Sequence, residues 1–200
     1  MSKALNNGDF CIGVFLDLKR AFDVCYHQIL IKKLAKIGLS GHTLNWFKSY
    51  LSNRTQRVLI SGELSDPRPI DISVLQGSIL GPILFLIMIN DLPYSSDFIT
   101  YLFADDTQGL LTGKDLPSLI DKVNGELKKL SEWFKANKIK VNTSKTKFII
   151  FHPKGKKINM NGKNIFFDDN GPGPVNPSLI TPLKECTTTT KLSKTKRINY

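Results

Sequence analysis

Two apolar stretches that lead into carboxylates constrain the fold of this 200-residue chain most strongly. Residues 11–16 read as a buried strand that ends at Asp17. Residues 98–103 and 107–112 are apolar and are separated by Ala-Asp-Asp, which predicts a β-hairpin with Asp105 and Asp106 at its tip. If the first strand pairs beside this hairpin, three carboxylates lie together at one end of an apolar sheet.

Such a cluster of like charges is costly unless a cation neutralises it. Two divalent ions about 3.5–4 Å apart would do so, as in two-metal phosphoryl-transfer sites. Carboxylate oxygens combined with substrate phosphates favour Mg²⁺, with Mn²⁺ as the alternative. The competing interpretation is an ordinary polar turn, because Asp is common in turns.

The other elements follow from the periodicity of apolar residues. Predicted helices cover residues 26–37, 40–51, 81–89 and 115–136. The third is apolar all round and is expected to be buried, and the fourth is expected to stop with Asn137 in the left-handed conformation. Predicted strands cover residues 57–61, 70–74 and 147–151, and residues 157–160 and 163–167 flank Asn161-Gly162, a hairpin signal.

The net charge of +11 is distributed unevenly along the chain. Residues 1–113 carry 10 basic and 10 acidic side chains, whereas residues 114–200 carry 18 and 7. A one-sided basic surface attracts polyanions such as nucleic acid, although a solvated lysine-rich face is the alternative. We divide the chain into a short lead (1–10), a folded domain (11–167) and an irregular basic tail (168–200).

Cysteine content and hydropathy exclude several classes of protein. Three cysteines without a C-x-x-C pair argue against a disulfide framework and against a zinc site. The longest apolar run, residues 79–89, is too short to span a bilayer. We therefore expect no membrane partner and an intracellular location, in the cytoplasm or the nucleus.

Three motifs in order carry a resemblance to a known family. They are residues 15–23 (FLDLKRAFD), 74–85 (VLQGSILGPILF) and 101–107 (YLFADDT). They resemble the palm domain of reverse transcriptases from non-LTR retrotransposons, whose usual forms are FLDLSKAFD, GVPQGSVLGP and FADDT. The resemblance implies an α+β fold with a small antiparallel sheet and helices on one face. It also implies RNA-directed DNA polymerisation, with an RNA template, a DNA primer and a dNTP as partners.

The resemblance assigns a metal site to the carboxylates. Asp17, Asp105 and Asp106 would bind two Mg²⁺ ions and carry catalysis, and Leu18 would offer its backbone carbonyl to the metal and nucleotide.

It also assigns residues to the nucleotide. Phe22 would lie under the sugar and exclude a 2′-hydroxyl, while Gln76 and Gly77 would lie against the nucleotide and template. Lys145 would protonate the pyrophosphate leaving group. Without the motif, Phe22 reads as a core aromatic and Lys145 as a solvated lysine.

The chain departs from the family pattern at Tyr26, Ser73 and Leu75, where Asp, Gly and Pro are usual. No fingers or thumb segment is recognisable, so we expect an excised palm whose parent element also carried those parts and an endonuclease. The tail from Thr187 onward reads alternatively as out-of-frame translation. The competing functions are a catalytically silent nucleic-acid-binding remnant and an RNA-dependent RNA polymerase palm, which Phe22 disfavours.

Overall fold

The computed structural model describes residues 2–74 and 77–167 in full and residues 176–182 for the backbone alone. The helices are α1 (Ser2–Asn6), α2 (His27–Lys36), α3 (Gly41–Leu51), α4 (Leu80–Ile89) and α5 (Leu116–Ala136), with 3₁₀ turns at Ala21–Val24 and Leu92–Ser95. The strands are β1 (Phe10–Leu16), β2 (Thr55–Gln56), β3 (Leu59–Ile60), β4 (Glu63–Leu64), β5 (Arg68–Pro69), β6 (Ile99–Phe103), β7 (Asp106–Gly113), β8 (Lys147–His152) and β9 (Asn176–Pro182).

The main sheet has five strands in the order β6-β7-β1-β8-β9. β1 lies at its centre and pairs antiparallel with β7 on one side and with β8 on the other. Among the described strands, β9 alone pairs in parallel, along the outer edge of β8. The α+β class and the small antiparallel sheet are thus confirmed, and the predicted pairing of the first strand beside the hairpin is present.

The core lies between this sheet and the helices. Ile12, Val14 and Leu16 alternate along β1 and are buried in one cluster with the apolar side of α5. The Asp115 side chain caps α5 by accepting a hydrogen bond from the Ser118 backbone N–H at 2.9 Å. The helix therefore has the amphipathic pattern and the start that the sequence predicts.

The end of α5 differs from the prediction by one residue. Asn137 keeps a φ of −88°, and Lys138 takes the left-handed conformation with a φ of 57°. The backbone N–H groups of Lys138 and Ile139 donate to the carbonyls of Lys135 and Phe134. This pairing closes the helix with the left-handed residue just after the cap.

The predicted strands at 57–61 and 70–74 are replaced by two separate ladders. β2 pairs with β5, and β3 pairs with β4, each over only two residues. Pro69 has no backbone N–H to donate, which limits the ladder between β2 and β5. Both ladders are exposed to solvent, so burial does not fix their register.

Two other predicted elements form only in part. Asn161 and Gly162 both have positive φ, at 47° and 72°, as the expected hairpin turn requires, but no strand flanks them. In α4, Ile83 and Leu86 are each 49% exposed. The helix packs one side against α2 and the turn at Ala21–Val24, so the opposite side is left uncovered.

The expected irregular tail contains a strand, since β9 lies inside it. The rest of that tail, residues 168–175 and 183–200, is outside the described residues, as is the predicted out-of-frame segment. Across the described residues, no helix is long and apolar enough to cross a membrane.

Two glycines give a matched test of this packing. A Cβ at Gly109 in β7 would lie 2.9 Å from the Phe98 ring, whereas one at Gly125 in α5 would meet nothing within 4 Å. We expect Gly109→Ala to lower the free energy of unfolding by about 1–3 kcal/mol through overpacking. Gly125→Ala should raise it by about 1 kcal/mol through helix propensity.

Thermal or urea unfolding of the two variants measures both values. Equal stability of the two variants would contradict the described close approach of Phe98 to β7.

Candidate active site

Two of the predicted carboxylates lie at the same end of the central sheet. Asp17 follows the last residue of β1, and Asp105 lies in the two-residue turn between β6 and β7. Because Leu16 of β1 pairs with Thr107 of β7, both acids reach the same edge. They line one cavity of about 720 Å³.

Asp106 does not join them. It is the first residue of β7, is exposed, and is not among the residues that line the cavity. Within residues 2–74 and 77–167, no three His, Cys, Asp or Glu side chains come close enough to form a metal cluster. Asp17 and Asp105 thus share a cavity that Asp106 does not line. The reason is local, since a turn residue and the strand residue after it direct their side chains differently.

The backbone beyond β1 extends its ladder toward β8. Leu18 forms an isolated bridge with Val141, flanked by hydrogen bonds from the Asn142 N–H to the Asp17 carbonyl at 2.7 Å and from the Lys19 N–H to the Lys140 carbonyl at 2.9 Å. In such a pair the central residue turns its own carbonyl away from its partner. The Leu18 carbonyl is therefore directed away from Val141, and Leu18 lines the same cavity as Asp17 and Asp105.

Basic side chains surround the two acids. Five of them line the cavity, together with a third carboxylate, Asp23. They are Lys19, Arg20, Lys138, Lys140 and Lys145. The cavity therefore combines carboxylates that attract a cation with a positive rim that attracts an anion, which suits a metal-bound phosphate.

Lys138 reaches this rim because of how α5 ends. Its left-handed conformation turns the chain, and its ammonium lies 4.5 Å from the centre of the Tyr26 ring. Tyr26 also lines the cavity, at the position where the family motif usually has Asp. At position 26 the rim therefore has a neutral ring in contact with a lysine, where the family motif has a carboxylate.

Lys145 lines the same cavity as Asp17 and Asp105. It lies in a turn in which the Lys145 N–H donates to the Asn142 carbonyl at 3.1 Å. Its side chain is exposed.

The structure does not place Phe22 or Gly77, two of the residues predicted to contact the nucleotide, among the residues that line the cavity. Phe22 is half-buried in the turn at Ala21–Val24, with its ring centre 5.0 Å from that of Phe85 in α4. It is not among the cavity-lining residues. Gly77 has a φ of +81° and open space around its α-carbon, and Gln76 lies outside the described residues.

A buried thiol lies next to the cavity. Burial, and then the nearby Asp23, raise the pKa of Cys25 to about 12. The thiol is protonated at neutral pH, which excludes it as a nucleophile here.

Sequence reasoning gave no role to Lys138, Lys140 or Asn142. Lys140 and Asn142 alternate in the extended segment before β8, and both line the cavity. This alternation is the one feature of the sequence that could have indicated that both side chains lie on the same face. Their partners, Lys19 for Lys140 and Asp17 for Asn142, lie more than a hundred residues earlier, so spacing alone could not connect them.

Comparisons with known proteins indicate the family of this chain. Residues 2–198 match the family described as reverse transcriptase (RNA-dependent DNA polymerase). The chain is 29% identical over 157 residues to the RNA-directed DNA polymerase from mobile element jockey of Drosophila melanogaster, covering 74% of this chain and 17% of that protein. It is 30% identical over 152 residues to the probable RNA-directed DNA polymerase from transposon BS of the same organism, covering 72% and 17%.

The departure at Ser73 has a measurable cost. Ser73 has a φ of 97°, a conformation that favours glycine, and glycine is the usual residue there in the motif. We expect Ser73→Gly to raise the free energy of unfolding by about 1 kcal/mol, because the relieved strain exceeds the entropic cost of glycine. For a chain of this size that is about 2–4 °C in the melting temperature.

Ser52→Gly is the matched control. Ser52 has an ordinary φ of −88°, and its hydroxyl donates to the Ser49 carbonyl. This change should destabilise the chain, and a stabilising effect of the same size at both positions would contradict the strain at Ser73.

Proposed function

The chain belongs to the reverse transcriptase family, and on this basis we propose that it forms the catalytic palm for RNA-directed DNA synthesis in a non-LTR retrotransposon protein. It spans about 17% of the length of the curated relatives described above. The activity therefore belongs to a longer protein. In it, a primer 3′-hydroxyl attacks the α-phosphate of a dNTP that is paired with an RNA template, and pyrophosphate leaves.

One observation carries the proposal. Asp17 follows β1 and Asp105 lies in the β6–β7 turn, and the pairing of β1 with β7 brings them to the same cavity. Acids brought together from distant parts of the sequence are unfavourable unless they serve a cation. Lys145 in the same cavity adds a proton donor within reach of a leaving group.

The donor set fits a divalent ion. Asp17 and Asp105 would supply carboxylate oxygens and Leu18, which lines the same cavity, its backbone carbonyl, and these are the hard oxygen ligands that Mg²⁺ prefers. In the described part of the chain no cation lies within ion-pair distance of the Asp105 carboxylate. When bound, Mg²⁺ would favour the ionised primer hydroxyl and stabilise charge on the phosphates. We propose two ions, with Asp106 reaching the second in the assembled enzyme.

The remaining residues act on the nucleotide itself. Lys138 and Lys140 hold the triphosphate by charge, and the Lys145 ammonium gives its proton to the departing pyrophosphate. Phe22 selects a deoxyribose by filling the space that a 2′-hydroxyl needs. Gln76 and Gly77 lie against the base pair, where the missing side chain of Gly77 permits close approach.

Titration with Mn²⁺ tests the metal site on the chain as it exists. We expect the wild type to bind Mn²⁺ saturably, followed by the electron paramagnetic resonance signal of free Mn²⁺. Asp17→Asn and Asp105→Asn should each weaken binding at least tenfold, because each removes a charged ligand.

Asp66→Asn is the control, since Asp66 is an exposed acid in the β4–β5 loop outside the cavity. Unchanged Mn²⁺ affinity in both cavity variants would overturn the proposed site.

Binding to a primed RNA template tests the basic rim. Affinity should fall steeply with salt, by about two orders of magnitude between 50 and 200 mM if four cations contact phosphates. Replacing Lys138 and Lys140 together with Ala should reduce the salt slope by about 2.

We expect little DNA synthesis from the isolated chain, because remote contacts that position the dNTP contribute several kcal/mol.

A salt slope that is the same in the double variant would exclude these lysines as phosphate contacts. Robust extension of the primer by the 200-residue chain would overturn the expectation of weak synthesis.

A further inference from the structure

Asn142 makes two direct contacts with Asp17 across 125 residues of sequence. Its side-chain amide donates to Asp17 Oδ2 at 2.9 Å, and its backbone N–H donates to the Asp17 carbonyl at 2.7 Å. One residue thus holds both the main chain and the carboxylate of the acid that ends β1. Asn142 belongs to the segment around Lys145 that resembles the family, but the resemblance as stated above assigns it no role.

The Asn142 amide is itself held in one orientation. The Ser144 hydroxyl donates to Asn142 Oδ1 at 2.7 Å, which leaves the amide NH₂ group facing Asp17. The Asn142 carbonyl accepts hydrogen bonds from the backbone N–H groups of Lys145 and Thr146 and from the Thr146 hydroxyl at 3.0 Å. Thr146 is fully buried, so this turn is anchored to the core just before β8.

This arrangement suits a carboxylate that must bind a cation. An amide is a neutral donor, so it fixes the carboxylate without cancelling its charge, as an ammonium would. The Asn142 amide bonds Oδ2, the second carboxylate oxygen remains for a cation, and Asp17 lines the cavity. Outer partners of this kind typically change metal affinity 10–100-fold when removed.

We propose that Asn142 is a positioning residue that sets the orientation in which Asp17 binds the divalent ion, and that the turn at 142–146 couples this orientation to Lys145. The inference rests on the proposed function, since it takes Asp17 to be a metal ligand. The turn places the metal ligand's partner and the proton donor within three residues of each other. Movement of this turn would therefore disturb both together.

Mn²⁺ titration of the full chain, again followed by the signal of free Mn²⁺, tests the proposal without requiring activity. We expect Asn142→Ala to weaken Mn²⁺ binding about tenfold. Ser144→Ala should weaken it by a smaller factor, because it only frees the amide to rotate. Ser144 is exposed, so this variant should keep the fold.

Asn124→Ala is the matched control. Asn124 also joins distant segments, donating to the Asn164 carbonyl at 2.9 Å and accepting from the Phe166 N–H at 3.1 Å, but it does not line the cavity. Its loss should cost similar stability and leave Mn²⁺ affinity unchanged. A thermal melt of each variant separates the two effects.

The outcomes distinguish this inference from the proposed function. If Asp17→Asn abolishes binding while Asn142→Ala and Ser144→Ala bind as the wild type does, the positioning role is overturned and the metal site stands. If Asp17→Asn itself binds normally, the metal site and the inference both fail. If Asn142→Ala does not fold, Ser144→Ala decides alone, and wild-type affinity in that variant overturns the inference.

Discussion

Pairing of β1 with strands on both of its sides is the interaction on which the site depends. The ladder to β7 sets Asp17 against the turn that carries Asp105. The ladder to β8 continues past the end of β1 through the Leu18–Val141 bridge and delivers Asn142 to Asp17. A shift of one residue in either register would turn Asp17 to the other face of the sheet. Such a shift would also move Ile12, Val14 and Leu16 out of the apolar cluster that they share with α5.

The sequence predicted the elements in which a periodic apolar pattern extends over many residues or in which a short turn joins two strands. β1, the β6–β7 hairpin and α5 have strong patterns, and all three are confirmed within a residue or two. The region between α3 and α4 was predicted wrongly, because its ladders are short and exposed, so no burial pattern marks them. β9 was missed because it pairs with β8 as an added edge, and proline-containing residues gave no strand signal.

For the site, the sequence motifs predicted residues that lie inside a motif, but not the residues that tertiary contacts bring into the cavity. Asp17, Asp105 and Lys145 do share a cavity. Asp106 lies apart from them, which spacing alone could not distinguish, since it follows Asp105 directly. Asn142 and Lys138 enter the site through the β8 ladder and the end of α5, and neither contact is visible in local spacing.

The central position of β1 has a consequence for how the chain folds. β1 is among the first elements in the sequence, yet both of its neighbours in the sheet come from the second half of the chain. Pairings of such high sequence separation carry a large loop-closure entropy and make folding slow. The β6–β7 hairpin and α5 are adjacent in sequence and can associate first, so β1 is expected to insert late, beside a preformed β7. During synthesis the apolar strand that precedes Asp17 would wait unpaired until β7 and β8 have left the ribosome, a period in which it is exposed to aggregation.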